Sequence, residues 1–201
     1  VADKALATAG ITIADIDLID IYSCFPCAVT SVATHLGLPI DGSRQLTLTG
    51  GLPYFGGPGN NYSMHALAEA VWQAREKPDS FAMVTANGGM LSKHASGIYS
   101  RKPSSIDWGN TETDISSNEL LACRVCADPQ SGSIISYTVH HDREGGAHAV
   151  IIGETISGER FVSRTAKDDN ATAFAMLAQD PTGKKVKVTA PDDERLYFEL
   201  G

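Results

Sequence analysis

Gly50-Gly51-Leu52-Pro53-Tyr54-Phe55-Gly56-Gly57-Pro58-Gly59-Asn60-Asn61 runs straight into a helical pattern from Tyr62 to Arg75. A glycine-rich loop that opens a helix can place backbone N–H groups against a ligand, because glycine accepts conformations closed to other residues. The periodic helix behind it carries Met64, Leu67, Ala68, Val71 and Trp72 on one face, which the spacing predicts to be the buried one.

Working outward, the segments on both sides fit one α/β unit. Ala2 to Ala9 reads as a helix stopped by Gly10, and Ile16 to Ile21 as a short buried strand. Phe25-Pro26 opens a helix through Leu36, with Val29, Val32, Ala33 and Leu36 at helical spacing and Gly37 as its stop. Leu46-Thr47-Leu48 leads into the glycine loop. Phe81 to Ala86 is a compact apolar strand ending in Asn87-Gly88-Gly89, and a further strand is predicted over Met90 to Tyr99. The order β–α–loop–α–β predicts a layered α/β fold.

The character changes after Arg101. Lys102 to Thr113 reads as a polar linker. From Ser133 onward the pattern is all-β: Ile134 to His140, Ala147 to Thr155, Arg160 to Thr165, Lys185 to Thr189 and an edge strand Leu196 to Leu200, with a helix Ala171 to Ala178 between. These short strands predict a small OB-like barrel. The expected domains are 1–125, the α/β part, and 126–201, the barrel, which is expected to pack on the first domain or cover its cleft.

Of the 201 residues, 42% are hydrophobic and 20% charged, ordinary values for a globular protein. A net charge of −8 argues against a nucleic-acid phosphate binder. No apolar run approaches a membrane span and no signal peptide is visible, so a cytoplasmic location is expected. The chain starts without Met inside a helical pattern, which is expected of a C-terminal piece of a longer protein. Cys24, Cys27, Cys123 and Cys126 form two CxxC spacings. Such spacing suits zinc or a redox pair, but Phe25-Pro26 and the apolar run Leu120 to Val125 lack the glycine or polar residues of a zinc knuckle. Small, reduced core residues and no metal are expected. His140 and His141 are adjacent in a strand and point to opposite faces, so they do not share a metal. Arg160, Arg164, Lys167 and Phe161 faintly suggest a nucleic-acid surface, diluted by Asp168 and Asp169.

Three segments in order resemble the C-terminal half of the thiolase superfamily. Ala9 to Ile21, followed by Tyr22-Ser23-Cys24-Phe25, is similar to the thiolase lead-in that ends in Asn-Glu-Ala-Phe, or in His-Asp-Cys-Phe in the sterol-carrier branch. The glycine loop resembles the Gly-His-Pro loop of that superfamily, and Val84-Thr85-Ala86-Asn87-Gly88-Gly89-Met90 resembles its Cys-x-Gly-Gly loop. An added small barrel resembles a thiolase-like protein subgroup that carries the acetyl-CoA acetyltransferase name. The resemblance implies binding of coenzyme A or an acyl-CoA, as substrate rather than cofactor. It also implies a homodimer, or a thiolase-fold partner, formed through an N-terminal half.

The resemblance further implies lost chemistry. Gly57 stands at the histidine position, Thr85 at the second cysteine position and Tyr22 at the Asn/His position. Losing one placed acid or base costs on the order of 10²–10⁴-fold in rate, so little thiolase activity is expected. Tyr22, His65 and Thr85 are the catalytic candidates. Gly56, Gly57, Pro58, Gly59, Asn87, Gly88 and Gly89 are the substrate-binding candidates, with Lys93 and His94 nearby for a phosphate or pantetheine. The alternatives are a retro-aldol lyase on acyl-CoA thioesters with Tyr22 as proton carrier, and a non-catalytic binding or assembly module.

Overall fold

The computed structural model describes residues 1–104, 123–192 and 195–201. The chain divides into two compact units, Val1–Ser116 and Ser117–Gly201. Most of the predicted Lys102–Thr113 linker and the start of the Leu120–Val125 run lie outside the described residues.

In the first unit, strands β1 (Ile16–Asp20), β2 (Phe81–Gly88) and β3 (Lys93–Ser100) form a sheet in that order. β1 and β2 are parallel, with Asp20 opposite Val84; β2 and β3 form an antiparallel hairpin in which Asn87 faces His94. Met90 and Leu91 belong to the hairpin turn rather than to β3. Gly89 and Leu91 take positive φ there, a conformation a strand does not use. Among the described residues three α-helices accompany the sheet: α1 (Ala2–Ala9), α2 (Pro26–His35) and α3 (Tyr62–Glu76). Gly10 ends α1 in the left-handed conformation, and Pro26 sits at the first position of α2, where no N–H is needed.

Two hydrophobic clusters form around this sheet. One joins Leu6 of α1, Ile19, Ile21, Met83 and Ala33 of α2 with Leu36 and Leu38. The other joins Leu18, Ala82 and Val84 to Ala66 and Ala70 of α3. The alternation of Leu18 and Ile19 between clusters is the period-two signature of a strand covered on both faces. The buried stripe of α3 is Tyr62, Ala66, Ala70 and Ala74, four residues apart. The predicted face is therefore corrected: Met64, Val71 and Trp72 are 58%, 42% and 66% exposed, and Ala68 is exposed as well. Alanines let the helix backbone approach the sheet closely, which the bulkier stripe would prevent.

The second unit is a closed barrel of five strands in the order β4-β5-β6-β8-β7. These are β4 (Ser131–His141), β5 (Ala147–Glu154), β6 (Arg160–Arg164), β7 (Lys185–Asp192) and β8 (Arg195–Leu200). β7 pairs back onto β4, and β8 lies parallel to β6. The segment Leu196–Leu200 is thus no edge strand; it closes the barrel between β6 and β7. Helix α4 (Asn170–Ala178) connects β6 to β7 and is capped by Asp169, whose carboxylate accepts from the Thr172 N–H. Its Ala173 and Met176 join Ile134, Ala149, Ile151, Phe161, Val186, Val188 and Phe198 in the barrel core. Strand alternation holds at His140, which stacks on its partner His148 at 4.9 Å, while His141 lies against Phe174.

Candidate functional site

The site is assembled where β1 and β2 end side by side. The Tyr22 N–H, just beyond β1, donates to the Thr85 hydroxyl on β2 at 2.9 Å. Thr85 is buried, and its side chain joins the two strand ends. The half-buried Tyr22 ring meets Tyr62, the first residue of α3, edge to face at 5.0 Å and 87°. The His65 ring lies 4.6 Å from Phe55 of the glycine loop, and Phe55 also meets Tyr62. Two of the catalytic candidates, Tyr22 and Thr85, are thus directly joined, and Tyr62 and Phe55 link Tyr22 to the third, His65.

Tyr62 and Asp20 were not anticipated, and they anchor the glycine loop. Asp20 is fully buried at the end of β1. Its Oδ2 accepts from both the N–H and the hydroxyl of Thr49, each at 3.0 Å. Since the single Thr49 proton goes to Asp20, the Tyr62 hydroxyl donates to Thr49 Oγ1, as does the Gly51 N–H at 3.1 Å. The Ser23 hydroxyl accepts from the Leu52 N–H at 3.0 Å. Asp20 Oδ1 has no hydrogen-bond partner among the described residues. Burial pushes the Asp20 carboxyl above its ordinary value, against the opposing pull of the Thr49 hydrogen bonds. Burial likewise pushes the Tyr62 hydroxyl up. A carboxylate inside the apolar run Leu18-Ile19-Asp20-Ile21 was the available signal for this anchor.

Beyond the anchor, Gly56, Gly57 and Gly59 all have positive φ, and a methyl group added at any of them would meet nothing within 4 Å. Backbone conformation, rather than crowding, explains these glycines, which are exposed to solvent. Pro58 begins a short turn, Gly59–Asn61, that feeds α3. Gly57 contributes no side chain to Tyr22 or His65, so no group at that position handles a proton.

Asn87, Gly88 and Gly89 lie at the far end of β2. Asn87 is not an open donor: its Oδ1 pairs with His94 Nδ1 at 2.8 Å, and its Nδ2 donates to Cys24 Sγ at 3.7 Å. Gly88 packs beside Lys93, and Gly89 has positive φ in the hairpin turn. The four cysteines are free, and none is buried, which corrects the expectation of core residues: Cys27 and Cys123 are exposed, Cys24 and Cys126 half-buried. Among the described residues no group of three His, Cys, Asp or Glu is placed to hold a metal ion. No helix of the described residues is long and apolar enough to cross a membrane. A separate groove of about 1070 Å³ is lined by α1, the outer side of α3 and β3, including Lys4, Val71, Tyr99 and Arg101. None of the glycine-loop residues lines it.

With this geometry in place, the comparisons with known proteins become specific. Residues 120–194 match the family described as thiolase-like protein type 1 additional C-terminal domain. The crystal structure of a monomeric SCP2-thiolase like protein type 1 from Mycobacterium smegmatis is 40% identical over all of this chain, with a TM-score of 0.84. This chain covers 44% of that protein. No curated protein matches. The chain belongs to the thiolase-like superfamily. The family match falls on the barrel, while the three loops that resemble thiolases lie in the first unit.

Proposed function

We propose that the chain is part of a thiolase-like protein that binds coenzyme A or an acyl-CoA and has little thiolase activity. The carrying observation is the anchored glycine loop. Asp20, Ser23 and Thr49 hold its start, α3 holds its end, and the backbone at Gly56, Gly57 and Gly59 is exposed and open to a ligand. Ordering so much glycine costs conformational entropy, and a backbone-lined ligand site gives that cost a use. The barrel's strand order, the parallel β6–β8 pairing and the helix between β6 and β7 support an OB-type barrel. Cytoplasmic acyl-CoA metabolism and an acyltransferase ancestry belong to the same reading. The monomeric state named for the M. smegmatis relative favours a monomer here over a homodimer.

Isothermal titration with coenzyme A and acetyl-CoA tests this. Saturable binding that is weakened by Gly57→Val, with the fold intact by circular dichroism, is the expected outcome. Absence of binding to both ligands rejects the reading.

A retro-aldol lyase is the second reading. Its support is the half-buried Tyr22, whose hydroxyl makes no hydrogen bond to the described residues and is therefore free to meet a ligand. Loss of lyase turnover in Tyr22→Phe without loss of ligand binding would favour it.

A further inference from the structure

His140, His148 and Arg164 come from three successive strands of the barrel and meet on its outer face. We propose that they form a binding site for a compact tetrahedral oxyanion, either phosphate or the phosphate group of a small ester. The site lies wholly within the second unit, so it stands or falls separately from the glycine-loop reading.

Strand alternation puts the three side chains on one face. Ala147, Ala149 and Ile151 enter the core from β5 and Phe161 from β6, which leaves His148 and Arg164 outward. Tyr137 and Val139 pack on the core from β4, which leaves His140 outward. His140 is the ladder partner of His148, and Arg164 is the partner of Val150, two residues on from His148. A side chain as long as arginine reaches such a diagonal neighbour. The two imidazoles stack with centroids 4.9 Å apart and planes 28° from parallel. His140 is exposed, while His148 and Arg164 are half-buried, so the site is open on the His140 side.

Two features call for an anionic acceptor. Arg164 Nε is buried and has no hydrogen-bond partner among the described residues. A buried guanidinium donor is costly without an acceptor, and oxyanions match its planar fork. Among the described residues, none of the three side chains is ion-paired either. Partial burial, then the charges of Arg164 and His140, hold the His148 ring below the ordinary histidine range, and Asp142 opposes them. An oxyanion among the three would offset that repulsion and favour the imidazolium, whose ring nitrogens both donate.

The surroundings select the ligand. Arg164 beside the pair disfavours a metal ion, and no third His, Cys, Asp or Glu among the described residues is placed to complete a cation site. Asp142 and Glu144 follow β4, and Asp168 and Asp169 follow β6, a poor setting for a polyanion. Donors from three strands suit an ion with oxygens on several sides. Arg143 and Glu144 are exposed in the turn beyond β4, Glu154 and Arg160 pair at the other end of β5 and β6, and α4 carries no charged residue.

Binding that raises the His148 value must tighten as pH falls through the raised value towards the free one. The test follows the imidazole signals of the whole 201-residue chain by NMR through a pH titration. Inorganic phosphate, sulfate and glycerol 3-phosphate are each compared with chloride at equal ionic strength. Sulfate keeps its charge over the range and isolates the response of the histidines. The His148 midpoint should rise by about one pH unit, with His140 rising too. His141, which lies on the other face against Phe174, should not respond. Arg164→Gln should raise the His148 midpoint in chloride and abolish the oxyanion response; a merely structural role for Arg164 would not produce that pairing. His140→Gln, at an exposed position, should weaken the response without loss of fold.

A response to inorganic phosphate supports a site for the free ion, and a response to glycerol 3-phosphate alone supports a phosphate ester. No rise with any of the three anions overturns the proposal. So does an equal rise at His141, which would mark diffuse ion attraction, or a response that survives Arg164→Gln. Perturbation of the pair by zinc ions, with none by oxyanions, would make it a cation site instead.

Discussion

Asp20 places an ionisable group inside the core of the first unit. Its carboxyl is buried, one oxygen holds Thr49 and the other has no partner. Its folded-state value is raised above the ordinary 3.8, with burial as the leading cause. Between those two values the folded protein binds more protons than the unfolded chain. Stability therefore falls as pH rises from the ordinary carboxylate value through the raised one. Asp20→Asn keeps an acceptor for Thr49 and removes the ionisation, so its stability should be flatter over that range. Denaturant titrations at several pH values from about 4 to 8 check this; a wild-type curve that rises with pH, unchanged by the substitution, would contradict it. Thr49→Val removes the hydroxyl's hydrogen bonds with Asp20, Tyr62 and Gly51 together, leaving only the backbone N–H on Asp20. It should lower stability by about 1–3 kcal/mol or more, as buried polar groups lose their partners.

At the scale of elements, most helices and strands were legible because their periodicity and their stops agree. Gly10, Gly37 and Pro26 mark helix ends where the structure has them. The face of α3 was not legible, since two stripes of the helix are apolar and only the sheet's need for close approach selects the alanines. That selection is testable. Trp72→Gln should change stability by less than about 0.5 kcal/mol, as expected for an exposed position. Ala70→Leu should cost about 1–3 kcal/mol through overpacking against Leu18 and Ala82. Thermal unfolding of the two variants compares them directly; a larger loss from Trp72→Gln would restore the other face. The site was legible only in outline. Tyr22, Thr85 and the glycine loop stand out by local pattern, but the bonds from Tyr22 to Thr85 and from Asn87 to Cys24 each span 63 residues. No local spacing encodes such contacts; they arise from the parallel pairing of β1 with β2.

At the scale of the whole molecule, two cores are built on different principles. The first relies on helices packed against three strands, and the second on a sheet that closes on itself and so has no free edge. Closure leaves little room inside. Gly153 on β5 faces Phe161 on β6 across the ladder, and the Phe161 ring lies where a side chain at Gly153 would begin. The ring also fills the space beside Gly132, where an added methyl carbon would sit 2.6 Å from it. Phe161 is therefore held by two glycines on neighbouring strands, and the barrel depends on both remaining side-chain-free. Gly153→Ala must displace the ring or bend β5, at a cost of about 1–3 kcal/mol. Phe198→Ala in the closing strand β8 opens a cavity instead, at about 3–5 kcal/mol. Hydrogen exchange separates these from surface effects. Both variants should accelerate exchange of the ladder amides in β5 and β6, whereas Leu177→Ala on the exposed side of α4 should not. Unchanged protection in Gly153→Ala would mean that the ring has another place to go, and that the two glycines are not what fixes it.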